Sequence, residues 1–195
     1  MHARSGRLVT TLLLALLLPL APVAAPAQER TPSATVPASR TTTVILVRHA
    51  EKAVVPGDDP PLSPEGEARA LALRDALRDA GVAVALVTRF RRTGDTALPL
   101  VQTAGVPMEK VEIDANVERH ARRVADAVSR HAGRTVLVVG HSNTLPAIIA
   151  ALGGGVVRPI RDHEYDDLFV LQKPAEGPAR LIRAHYGAPN PERAP

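Results

Sequence analysis

Three short segments concentrate the side chains that could handle a phosphate. They are Arg48-His49-Ala50-Glu51-Lys52, Thr88-Arg89-Phe90-Arg91-Arg92-Thr93 and Gly140-His141-Ser142-Asn143-Thr144. Arginine presents a fixed fork of N–H donors that matches phosphate oxygens. An imidazole that is neutral near pH 7 can act as a nucleophile toward phosphorus, with surrounding donors stabilising the charge that moves to oxygen. Two histidines and two arginines drawn to one place would therefore suit phosphoryl transfer.

Each segment follows a short apolar run. Thr43–Val47 and Thr135–Val139 are continuous and β-branched, the form of strands buried on both faces, and Val82–Thr88 is a third strand. Between them the spacing predicts helices over Pro64–Ala80, with Ser63 as N-cap and Gly81 as stop, Thr93–Ala104, where Pro99 should bend the chain, Val117–Ala132 and Thr144–Leu152. Val111–Ile113 reads as a weak strand, and Asp167–Lys173 with Arg180–Tyr186 as a late hairpin. Strand and helix alternate, which predicts a three-layer α/β/α domain around a mainly parallel sheet. In such sheets ligands bind beyond the carboxyl ends of the strands, where all three segments fall.

Composition narrows the functions available. The chain has 195 residues, 24 basic and 20 acidic, a formal charge of +4, and no cysteine. That excludes a disulfide scaffold, a thiol nucleophile and a zinc ribbon. Phe90, Tyr165, Phe169 and Tyr186 are the whole aromatic inventory, too few for base-stacking platforms, so no nucleic-acid partner is expected. Met1–Ala27 reads as a secretory signal: Arg4 and Arg7 precede the apolar Leu8–Leu20, and Ala25-Pro26-Ala27 offers a cleavage site after Ala27. The apolar stretch is short for a membrane span, so a periplasmic or secreted protein without stable membrane insertion is expected. Residues 28–40 read as a disordered linker, 41–187 as the folded domain and 188–195 as a loose tail. Within 41–187 there remain 19 basic and 18 acidic residues, so anion binding must be local rather than a global field.

The ordered motifs resemble the histidine phosphatase superfamily, also called phosphoglycerate-mutase-like. Its R-H-G/A element is matched by Arg48-His49-Ala50, its L-[ST]-x-x-G by Leu62-Ser63-Pro64-Glu65-Gly66, its S-x-x-x-R-[AT]-x-x-T-A by Thr88–Ala97, and its strand-then-G-H by Val139-Gly140-His141. The resemblance implies a phosphohistidine nucleophile at His49, with Arg48, Arg92 and His141 binding the transferring group. It implies a phosphatase acting on a small phosphorylated substrate, with no cofactor and no metal. A general acid is sought at Asp114, with Glu118, Asp58 and Asp59 as weaker candidates. Ser142 and Asn143 are expected to hold the loop or line the substrate pocket, and Glu51 to stand at its rim, ion-paired with Lys52.

Other polar residues receive plainer readings. Arg89 and Arg91, and His120 and His131 on the polar side of a helix, are expected to be solvated. His163, Glu164, Asp166 and Asp167 are expected to form a turn ahead of a strand. Two other functions are compatible with the residues: a non-catalytic anion-binding relic of the same fold, and an α/β-hydrolase with Ser142 in a G-x-S-x-G-like turn, Asp166 or Asp167 and His185.

Overall fold

The computed structural model describes residues 41–190, so the expected signal segment, the linker and the last five residues lie outside the described residues. The element order is β1 (Thr42–Arg48), α1 (Pro64–Leu77), β2 (Val82–Val87), α2 (Arg91–Ala104), β3 (Met108–Lys110), α3 (Val117–Ser129), β4 (Thr135–Gly140), α4 (Leu145–Ala151), β5 (Asp167–Lys173) and β6 (Arg180–His185). The six strands form one sheet in the order β3-β2-β4-β1-β5-β6. β1 runs parallel to β4, and β2 parallel to both β4 and β3, while β5 and β6 are antiparallel additions. The expected fold class, mainly parallel α/β, is the one observed.

Alternation along the strands explains the layers. Val44 and Leu46 of β1 pack with Val124, Val128, Ile148 and Ile149 of α3 and α4. Ile45 and Val47 turn to the other face and meet Leu73 and Leu77 of α1 and Ala97 and Leu100 of α2. Both faces of β1 are therefore dry, as its unbroken apolar run predicts.

Boundaries differ where pairing or capping overrides pattern. α1 begins as expected, with the Ser63 side chain accepting from Gly66 N and Pro64 in the first turn. It ends three residues early, at Leu77. α2 starts at Arg91, and Pro99 lies inside the helix. The weak strand is displaced: β3 is Met108–Lys110, because the parallel register with Ala85–Val87 is closed by Ala85 N to Pro107 O and Val111 N to Val87 O. Val111 instead packs against the core.

The C-terminal boundary also shifts. Asn190, within the expected loose tail, is buried, accepts a hydrogen bond from Tyr165 N and binds the Asp166 carboxylate through its side chain and its backbone N. Among the described residues no helix is long and apolar enough to cross a membrane.

Candidate active site

Register brings the two histidines together. β1 and β4 pair residue by residue up to Arg48 and Gly140, and His49 N donates to Gly140 O at 2.9 Å. The imidazoles of His49 and His141 follow directly and meet edge to face, with ring centroids 5.3 Å apart. Gly140 lets Leu145 pack close: a Cβ here would stand 3.0 Å from the Leu145 side chain, tighter than an ordinary contact. Ala50 is fully buried, and its N–H donates to Thr96 Oγ1, whose own proton goes to Arg92 O. The threonine four residues after Arg92 thus ties the start of α2 to the segment carrying His49.

His49 is set up as a nucleophile. Its Nδ1 lies 2.8 Å from Ala50 O, and a carbonyl can only accept, so Nδ1 carries the proton and Nε2 the lone pair. Nε2 has no hydrogen bond among the described residues and is not enclosed, so that lone pair is available. Burial above all, and then the neighbouring His141, Arg48 and Arg92, push the ring's pKa down to about 3. Near neutral pH the ring is therefore uncharged.

His141 is fixed from behind. Its Nε2 sits 3.1 Å from Thr88 Oγ1, which is also 3.1 Å from Thr93 Oγ1. Thr93 Oγ1 gives its proton to Phe90 O at 2.8 Å, so the Thr88 hydroxyl has one proton for two neighbours, His141 Nε2 and Thr93 Oγ1. When that proton goes to His141 Nε2, Nδ1 bears the ring hydrogen, the tautomer suited to an anion. Burial, followed by Arg92, His120 and Arg48, holds the His141 pKa at about 4.

The two arginines are held differently. Arg48 Nη1 donates to three backbone carbonyls, Arg161 O, Asp162 O and Glu164 O, at 2.8, 2.9 and 3.0 Å. Its Nη2 reaches the Tyr165 hydroxyl at 3.3 Å, and its Nε is buried without a partner. Arg92 lies over the Phe90 ring at 4.1 Å, has Asp59 3.6 Å from Nη1, and also has a buried Nε without a partner. Buried N–H groups are almost always satisfied, so two orphaned donors beside two imidazoles mark a place for an anion.

Several expected roles are reassigned by contacts. Asp114 is gripped by Arg119 at 2.6 Å, with Arg123 at 3.5 Å, and accepts from Asn116 N, which holds its carboxyl well below the usual carboxylate range. Such a group has no proton to donate near neutral pH. Glu51 pairs with Arg69 through both oxygens instead of with Lys52. Asp59 accepts from Arg91 N at the start of α2, which places a carboxylate beside Arg92. Glu118 is exposed. Ser142 is half-buried and Asn143 exposed, and neither side chain is hydrogen-bonded among the described residues. The turn is held by Thr144, whose Oγ1 accepts from His141 N, and by His141 O, which accepts from Thr144 N and Leu145 N.

His120 is not solvated but fully buried, with Nδ1 on Glu112 O. His131 is half-buried. The polarity of a helix face did not reveal that α3 rolls His120 inward, next to Val124 and the end of β2. A turn at Asp162–His163, closed by Glu164 N to Arg161 O and stapled by the Arg158–Glu164 pair, precedes β5, but Asp167 is already the first residue of that strand. Asp166, Asp167 and His185 offer ligand atoms within 4.8 Å of one another, but Arg183 already engages Asp167 and Asn190 engages Asp166, so the cluster is charge-compensated.

Sequence reading missed Phe90 and Tyr165. Phe90 stacks edge-on to His141 and supports Arg92, and Tyr165 stacks on Arg48 at 4.0 Å and faces His49 at 6.2 Å. The signal was the scarcity itself, since two of four aromatic residues stand at the site.

A family model for the histidine phosphatase superfamily (branch 1) matches residues 44–116. The protein assigned as phosphohistidine phosphatase SixA in Nakamurella multipartitia is 27% identical, with 76% of this chain and 98% of that chain covered at a TM-score of 0.55. Over residues 44–116 and in its fold, the chain is similar to the histidine phosphatase superfamily. The protein assigned as SixA in Agrobacterium tumefaciens is 25% identical over 76% of this chain and 98% of its own, at a TM-score of 0.52. The histidine phosphatase SixA solved with tungstate shares the fold at 17% identity and a TM-score of 0.60, over 73% of this chain and 96% of its own. No curated protein sequence matches the chain.

Proposed function

We propose that this histidine phosphatase superfamily member hydrolyses small phosphomonoesters outside the cytoplasm through a phosphohistidine on His49. The observation that carries the reading is the pair of buried, unpartnered Nε–H groups of Arg48 and Arg92 beside His49 and His141. A phosphate dianion would satisfy both donors and the His141 Nδ1–H together. His49 Nε2 attacks phosphorus, a P–N bond forms, and the P–O bond to the leaving group breaks. The leaving oxygen takes a proton from solvent or a nearby acid. Water then attacks phosphorus, the P–N bond breaks, His49 regains its lone pair, and phosphate carries off the oxygen. Partly desolvated guanidiniums stabilise the charge on the non-bridging oxygens throughout.

Two neighbouring facts favour a second substrate class, phosphohistidine. Asp114 and Glu51 are committed to arginines, and an imidazole leaving group accepts its own proton. Two solved structures, at 27% and 25% identity, are assigned as phosphohistidine phosphatases. The Ser142 hydrolase reading loses support, because His185 lies on β6, three strand spacings or roughly 14 Å from β4.

The test is steady-state hydrolysis of phenyl phosphate and of a phosphohistidine peptide by the purified protein, beside His49→Ala. Loss of at least about 1,000-fold is expected in the variant, the scale seen when a nucleophile is removed. Wild-type rates in His49→Ala would end the nucleophile assignment.

A further inference from the structure

We infer that Tyr165 is a further catalytic residue, whose hydroxyl donates a hydrogen bond to a non-bridging oxygen of the phosphoryl group held by Arg48. The inference rests on the phosphatase reading above and adds a donor that none of the motifs contains.

Arg48 is held rigidly by the chain around it. With Nη1 spent on three carbonyl oxygens of residues 161–164, the guanidinium cannot turn, and only its Nε and Nη2 remain for a ligand. Nη2 also donates to the Tyr165 hydroxyl at 3.3 Å. That bond consumes a lone pair of the phenol oxygen and leaves its single proton unassigned. No acceptor for that proton exists among the described residues. The proton therefore belongs to solvent in the free protein, and to an oxygen on the Arg48 fork when an anion is bound.

Position separates this role from that of a leaving-group acid. The Tyr165 ring faces the His49 ring at 6.2 Å, so it stands on the nucleophile's side. In-line attack puts the leaving oxygen on the far side of phosphorus from His49 Nε2, and the three non-bridging oxygens between. A hydroxyl beside His49 and Arg48 meets the latter.

The residue is also anchored. Its N–H donates to Asn190 Oδ1 at 2.9 Å, Asn190 in turn binds Asp166, and the ring lies 4.0 Å from Arg48 Cζ. Glu164, next in line, binds Arg158 by both oxygens and accepts from Arg161 N, which aims the carbonyls at Arg48. A donor held this firmly loses little entropy on meeting its acceptor.

Tyr165→Phe keeps the ring and the stacking and removes only the hydroxyl. For the wild type and this variant, kcat/KM would be measured on 4-nitrophenyl, phenyl and glycerol phosphates, and orthovanadate binding by thermal shift. A loss of about 10- to 100-fold in kcat/KM is expected, similar for all three esters, with vanadate binding weakened and the melting temperature without vanadate unchanged. Tyr165→Leu, which also strips the ring from Arg48, should lose more. Wild-type kcat/KM and vanadate binding in Tyr165→Phe would overturn the inference. A loss confined to glycerol phosphate would also overturn it, by making Tyr165 a leaving-group acid. Should the wild type hydrolyse none of the esters while Tyr165→Phe still binds vanadate more weakly, the hydrolase reading fails and the anion contact stands.

Discussion

Replacing Thr88 with valine removes one hydroxyl while conserving shape, and that hydroxyl touches His141 Nε2 and Thr93 Oγ1, each at 3.1 Å. Thr88 and His141 are both buried, so no water takes the vacated place freely. Leaving His141 Nε2 unpaired costs about 1–3 kcal/mol of stability. The kinetic effect has a separate origin. Without a donor on Nε2, the ring proton can settle there, and Nδ1 then meets the phosphoryl oxygens with a lone pair. Turning one donor into an acceptor should lower kcat/KM by about 10- to 100-fold, or about 1.4–2.7 kcal/mol. Phenyl phosphate kinetics and thermal unfolding would be measured together for Thr88→Val and Thr88→Ser. The serine variant retains the hydroxyl and should recover most of the rate. A folded valine variant with wild-type kcat/KM, or a serine variant as slow as valine, would refute the tautomer argument.

Stability should fall as acid is added. Both site histidines have folded pKa values lowered from 6.5, to about 3 and about 4, so between those values and 6.5 the unfolded chain binds protons that the folded chain refuses. Below pH 6.5 the pair should tilt stability by up to ~2.7 kcal/mol per pH unit, and His49→Ala should remove about half of that slope in denaturant titrations at pH 6 and 5. A slope unchanged by the substitution would contradict the burial of a neutral imidazole. Gly66→Ala would drive a Cβ into the carbonyl oxygen of Glu51, two residues past the nucleophile, and should destabilise by about 3 kcal/mol. Gly94→Ala, inside α2 with only Met108 Sδ at 3.8 Å, should instead gain about 0.5–1 kcal/mol. Equal unfolding midpoints for the two would show that the L-S-x-x-G glycine is not there for contact with Glu51.

The strands carrying the site were legible because burial on both faces leaves an unmistakable apolar run, as in Thr43–Val47 and Thr135–Val139. Motif order then located His49, Arg48, Arg92 and His141. What stayed hidden depended on side chains meeting across long sequence gaps. Nothing local marks Glu51 as the partner of Arg69, or Asp114 as the property of Arg119 and Arg123. His120 was misread because helical spacing places a residue on a face but does not say whether that face is covered. Tyr165 lies in a segment of turn-forming residues, and its role comes from Arg48, 117 positions earlier.

β1 is made early, yet both its neighbours come late: β4 begins at Thr135 and β5 at Asp167. The Arg48 clamp likewise closes on carbonyls more than a hundred residues downstream. Such wiring has a high contact order, and high contact order slows folding because long loops must close before they are rewarded. Until Asp167–Lys173 is in place, the strand that delivers the nucleophile has a bare edge. A chain released or cut before that point would carry every recognisable motif and still lack a site, with an apolar strand open to association.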